Sequence, residues 1–162
     1  MESDLSAVVS KFRELEGPRR VSPDNPFLLA CTLASPATDD DVSEAWEQGT
    51  LPAQVRELWL VSKEARLFED VEYGQWGLVM MPPGEALRST EEARKSRPTE
   101  FQPTDVVLGK FLGDSELLVV TSAGSVLIAL PLDPRKDWYL AARTLSEFLE
   151  QYRESLGFKF WE

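Results

Sequence analysis

The segment from Val106 to Leu130, VVLGKFLGDSELLVVTSAGSVLIAL, limits the possible folds more than any other part of the chain. It reads as three strands, at 106–111, 117–121 and 126–130. Ser122, Ala123, Gly124 and Ser125 form a tight hairpin turn between the last two, and Gly124 suits a positive φ. A connection that short joins antiparallel neighbours only, because a parallel crossover needs a dozen or more residues. Both hairpin strands are apolar at consecutive positions, so both of their faces need cover and they belong in the middle of a sheet.

The flanking segments supply that cover. Leu5, Val8, Val9, Phe12 and Leu15 make one apolar stripe, which predicts an N-terminal helix over 3–16 with Ser3 or Asp4 near its start and Gly17-Pro18 at its end. FLLACTLA, 27–34, is short and apolar, and its periodicity fits a strand or a buried helical turn equally well. Thr38 with Asp41 has the form of a capping box. The helix that follows turns Val42, Ala45 and Trp46 inward and stops at Gly49. Pro52 suits the first position of another helix, with Val55, Leu58 and Trp59 on its inner face. Strands are expected at Leu67-Phe68 and over 76–81, joined by the acidic loop 69–74. The charged stretch 85–97 reads as a surface helix or partly helical loop with a thin stripe at Ala86, Leu87 and Ala93. Thr144 and Glu147 form a second capping box ahead of Leu145, Phe148, Leu149, Tyr152 and Leu156, and Gly157 is the stop. Helices, then strands, an interrupting helical segment, more strands and a closing helix predict an α+β fold. Its expected form is a mostly antiparallel sheet of about five strands packed by N-terminal helices and a C-terminal helix, in one domain spanning 1–162.

Composition removes most chemistry. The chain has no histidine, which excludes Ser-His-Asp and Cys-His catalysis and histidine-bound zinc. Its single cysteine, Cys31, lies in an apolar run and reads as a buried, inert thiol. Neither GxxxxGK nor GxGxxG occurs, so no phosphate loop is expected. Asp39, Asp40 and Asp41 fall where a helix N-terminus favours carboxylates, a plainer account than a metal site. Asp114 and Glu116 in GDSE sit in turn chemistry, although such a pair is also open to acid–base use. Arg88, Arg94, Lys95 and Arg97 are diluted by Glu91 and Glu92 and read as a solvated helix face. The expectation is a protein without enzymatic activity, cofactor or metal. The acidic start, MESDLSAVVSKFREL, lacks the cations of a signal peptide and no long apolar run follows, so the expected location is cytoplasmic, with no membrane contact.

The formal charge is −11. That field opposes nucleic acid. It serves solubility, and it would also draw in a basic protein. Glu64, Glu69, Asp70 and Glu72 beside Tyr73 and Trp76 combine acids with large aromatics, as a surface for Lys or Arg requires. The competing reading makes Trp76 the start of a core strand and the acids loop solubilisers.

Four passages together resemble the SUKH superfamily, which takes in bacterial Syd and the fungal Smi/Knr cell-wall regulators. PATDDDVSEAWEQGTLPAQVRELWLVSKEARLF is similar to the family's paired helices, with Leu51-Pro52 as their junction. GQWGLVMMPPGEAL is similar to its strand and following helix start. DVVLGKFLGDSELLVVTSAGSVLIAL is similar to its central strands, with Gly113-Asp114 at their acidic turn. WYLAARTLSEFLEQY is similar to its closing strand and helix. The likeness spans 36–156. It departs from the family at 62–65, where Ser-Lys-Glu-Ala stands in place of a glycine-containing turn. The resemblance implies a binding protein. Many bacterial members are immunity proteins that neutralise a polymorphic toxin, often a nuclease, and others are Syd-like or Smi/Knr-like adaptors docking on larger assemblies. On this reading the expected partner is a basic toxin domain. The expected contact residues are Glu69, Asp70, Glu72, Tyr73 and Trp76, then Asp114, Glu116 and Trp138.

Overall fold

The computed structural model describes residues 4–15 and 17–162. Its order is α1 (Asp4–Arg13), β1 (Leu29–Leu33), α2 (Asp39–Ala45), α3 (Ala53–Trp59), β2 (Ala65–Asp70), β3 (Leu78–Met80), α4 (Pro83–Ser96), β4 (Val106–Phe111), β5 (Leu117–Val120), β6 (Val126–Ala129), a 3-10 turn (Arg135–Asp137), β7 (Tyr139–Ala142) and α5 (Leu145–Glu154). The fold is α+β. All seven strands form one antiparallel sheet in the order β1-β2-β3-β4-β5-β6-β7, each strand paired with its neighbours in sequence.

Seven strands replace the expected five or so. The ambiguous run 27–34 holds β1, because Leu29 and Leu33 find ladder partners in Asp70 and Ala65. The other strand beyond those read from periodicity, β7, lies in WYLAARTLSEFLEQY, where only the resemblance implied a closing strand, and it pairs Tyr139 with Ile128 and Leu140 with Leu127. The hairpin β5–β6 lies inside the sheet as expected, with Leu118, Val119, Val120, Val126 and Ile128 fully buried and Gly124 at φ 89°.

Strand register separates the two faces. Leu78, Phe111, Leu118 and Ile128 are turned toward α1, α5 and the C-terminal segment, where Phe111 meets Trp161 at 5.2 Å and Phe68 meets Phe12 and Tyr152 edge-on. The opposite face, with Val79, Lys110, Leu117 and Ala129, lies under α4, and Lys110 reaches Glu85 of that helix at 3.8 Å.

Several helix ends differ from expectation. The first helix ends at Arg13, and positions 3 and 16 of the expected span lie outside the described residues. The Thr38–Asp41 box forms in full, but α2 stops at Ala45, ahead of Gly49. Trp46 turns extended there and its indole N–H donates to the Pro83 carbonyl at 3.0 Å. Pro52 is the N-cap of α3, one position earlier than expected. Trp59 anchors that helix by donating to Met81 O at 2.9 Å. The stretch expected over 85–97 is a full helix as far as Ser96, with Arg97 as its C-cap. Its buried stripe includes Thr90, whose hydroxyl donates to Ala86 O and accepts the amide of Val107 at 2.9 Å, at a bulge in β4. Arg94 and Arg97 are not loose on its face: they bond the carbonyls of Asp105, Leu130 and Asp133. At α5 only half of the expected capping box forms, Thr144 accepting from the Glu147 amide, and Leu156 is exposed beyond the helix end.

Candidate partner-binding surface

The loops β2–β3 and β4–β5 leave the sheet at the same end and are bonded to each other. The Leu112 amide donates to Gly77 O at 2.8 Å. Gly113 at φ 89° presses so closely on the Gln75 carbonyl that a side chain there would collide with it. This contact explains the glycine better than turn chemistry alone. Seven of the eight expected contact residues therefore sit together.

They sit there in different ways. Glu69 belongs to β2, opposite Ala30, and pairs with Arg66 at 2.6 Å. Asp70 is the last residue of that strand and only 2% exposed. Its carboxylate accepts the amides of Glu72, Tyr73 and Gln75, each at 3.1 Å. Burial pushes the Asp70 carboxyl up, but the three N–H donors outweigh it and hold the group below the usual carboxylate range. Asp70 thus shapes the loop from within, leaving presentation to its neighbours. Val71, Glu72 and Tyr73 point outward, Tyr73 being 71% exposed, and Glu72 meets Arg20 only distantly, at 3.9 Å.

Trp76 is half-buried, and its indole N–H, enclosed by protein, has no hydrogen-bond partner. Asp114 and Glu116 do form the expected turn, Asp114 accepting the Glu116 amide at 2.9 Å. Both carboxylates also close on one ammonium, that of Lys159, which donates to Asp114 and, at 3.0 Å, to Glu116. Burial lowers the pKa of Lys159; the hydrogen bonds to Asp114 and Glu116 and their charges outweigh this and raise it. The same ammonium lies 5.8 Å from the Trp76 ring centre and 5.7 Å from that of Phe111.

Trp138 stands apart. It is 7% exposed, donates to Asp133 O, packs on Phe101 at 5.1 Å and has the guanidinium groups of Arg97 and Arg135 at 5.7 and 5.4 Å from its ring centre. Arg135 is in turn paired with the fully buried Asp105. This staple fixes the segment ahead of β7 and leaves little of the indole for a partner.

Lys159, Phe111 and Trp161 are the residues that sequence reasoning missed here. The available signal was FKFW, a lysine set among three aromatics directly after Gly157. Among the described residues no group of three or more carboxylate or thiol side chains converges to hold a metal ion, and no helix is long and apolar enough to cross a membrane. Comparison with protein families gives no match to the chain, and comparison with curated proteins gives none either.

Proposed function

We propose that this chain is a binding protein without enzymatic activity, of the SUKH immunity kind, which neutralises a basic toxin domain such as a nuclease by covering it with the β2–β3 end of the sheet. The observation that carries this reading is the exposed trio Val71, Glu72 and Tyr73 on a loop that Asp70 fixes from inside. An aromatic with an acid beside it suits a cationic partner, and a loop already ordered loses little freedom on binding. The charge of −11 adds long-range attraction to such a partner. A toxin domain encoded by an adjacent gene is the natural test substance. Co-expression with this chain should restore growth of cells making the toxin, and Tyr73→Ala should weaken the complex about tenfold or more. A complex that forms without restoring growth favours the adaptor reading, and no complex at micromolar concentration and low salt removes both.

A further inference from the structure

The surroundings of Lys159 are those of a ligand more than those of an ordinary surface ion pair. Two carboxylates converge on one ammonium and two aromatic rings flank it. The lysine side chain is 13% exposed and that of Glu116 is 14% exposed. Carboxylates and ring faces together are the chemistry that selects a cation. We propose that Trp76, Phe111, Asp114 and Glu116 form a binding site for a primary ammonium group, kept closed by the chain's own Lys159 acting as an internal ligand.

The backbone that carries these side chains is fixed without that lysine. Asp114 is set by the Glu116 amide, the Phe111 amide donates to Glu116 O at 3.0 Å, and Leu112 and Gly113 are fixed against Gly77 and Gln75. Lys159 arrives separately, on the segment 155–162 beyond α5. That segment turns at Gly157, φ 85°, which packs on the Phe68 ring where a larger residue would collide. The crevice bounded by Trp76, Phe111, Leu112, Tyr152 and Lys159 has no room for a water molecule, so a second cation enters only when Lys159 leaves. Affinity for an outside ammonium is then the intrinsic affinity multiplied by the fraction of molecules in which the segment is open. A compact ammonium with three donors can face two carboxylates and two rings at once, whereas a planar guanidinium presents a fork. The favoured occupant is therefore a lysine side chain or another primary alkylammonium. That its natural source is a lysine of the partner rests on the binding reading above; the site itself is tested without any partner.

The test follows the indole N–H resonances of Trp76 and Trp161, both buried without a partner, during titration with n-butylammonium chloride. Lys159→Ala should show saturable shifts. The wild-type chain should respond at least about tenfold more weakly, and Lys159→Ala combined with Glu116→Gln should lose about tenfold in affinity. The neutral isostere n-butanol should give no saturable shift. Equal response of wild type and Lys159→Ala, no binding by the folded alanine variant, or no effect of Glu116→Gln overturns the proposal. If the alanine variant does not fold, the wild-type chain decides. Butylammonium, and neither sodium chloride nor n-butanol at equal concentration, should speed chymotryptic cleavage after Phe158 and Phe160 about threefold by freeing the segment, and unchanged cleavage overturns the proposal. Failure of either measurement leaves the partner reading standing on Tyr73. Failure of a toxin to bind leaves the ammonium site untouched.

Discussion

Asp70 shows how one side chain can support a surface to which it contributes no area. Three loop amides point at its carboxylate, and the outward posture of Val71, Glu72 and Tyr73 depends on them. Replacing it with alanine strands those donors. Because the loop is at the surface, water can recover part of the loss, so Asp70→Ala should cost about 1–2 kcal/mol at neutral pH, measured by urea unfolding. The sign of the pH dependence follows from the lowered pKa in the folded state. The stabilisation is present above the unfolded value of about 3.9 and is lost as pH falls through the lower folded value, so the gap between wild type and Asp70→Ala should close in acid. In the sequence Asp70 looks like one more acid in a soluble loop, since composition cannot show that the strand runs on to position 70 and buries it. Tyr73 and Trp76 were legible as aromatics beside acids. Lys159 was not, because the helical stripe ends before it and nothing local ties a lysine near the end of the chain to a turn forty-odd residues earlier.

Among the elements, α4 differs most from its sequence reading. Its apolar stripe is thin because part of its contact with the sheet is polar. Thr90 is fully buried and satisfies the Val107 amide where the bulge in β4 takes that group out of the ladder. Periodicity counts apolar residues, so a threonine doing this passes as surface. Thr90→Val keeps the shape and removes the acceptor. It should destabilise the protein by about 1–3 kcal/mol and speed hydrogen exchange at the Val107 amide, whereas unchanged exchange would mean that water or a backbone shift replaces the bond. The β5–β6 hairpin was readable outright, since two faces of apolar residues and a glycine turn leave one arrangement. β1 was not: a five-residue apolar run takes its identity from the partner strand, and here that partner is β2.

At the scale of the molecule, the two sheet faces are covered by different helices, and the β2–β3 and β4–β5 loops at one end bring seven of the eight candidate contact residues together. The class, α+β with an antiparallel sheet, followed from connection length and element order. The strand count did not, because short edge strands carry too little pattern. The chain carries a charge of −11, yet three acids at the candidate end, Glu69, Asp114 and Glu116, are already matched by Arg66 and Lys159. On the proposed function, attraction of a basic partner would come from the whole field, while Tyr73 and its neighbours would supply the local hold. Stopped-flow association with the adjacent-gene toxin domain separates these contributions most directly. The association rate should fall about tenfold or more between low and physiological salt, and Tyr73→Ala should associate at nearly the wild-type rate but dissociate faster. Association indifferent to salt, with Tyr73→Ala dissociating like wild type, would contradict this reading.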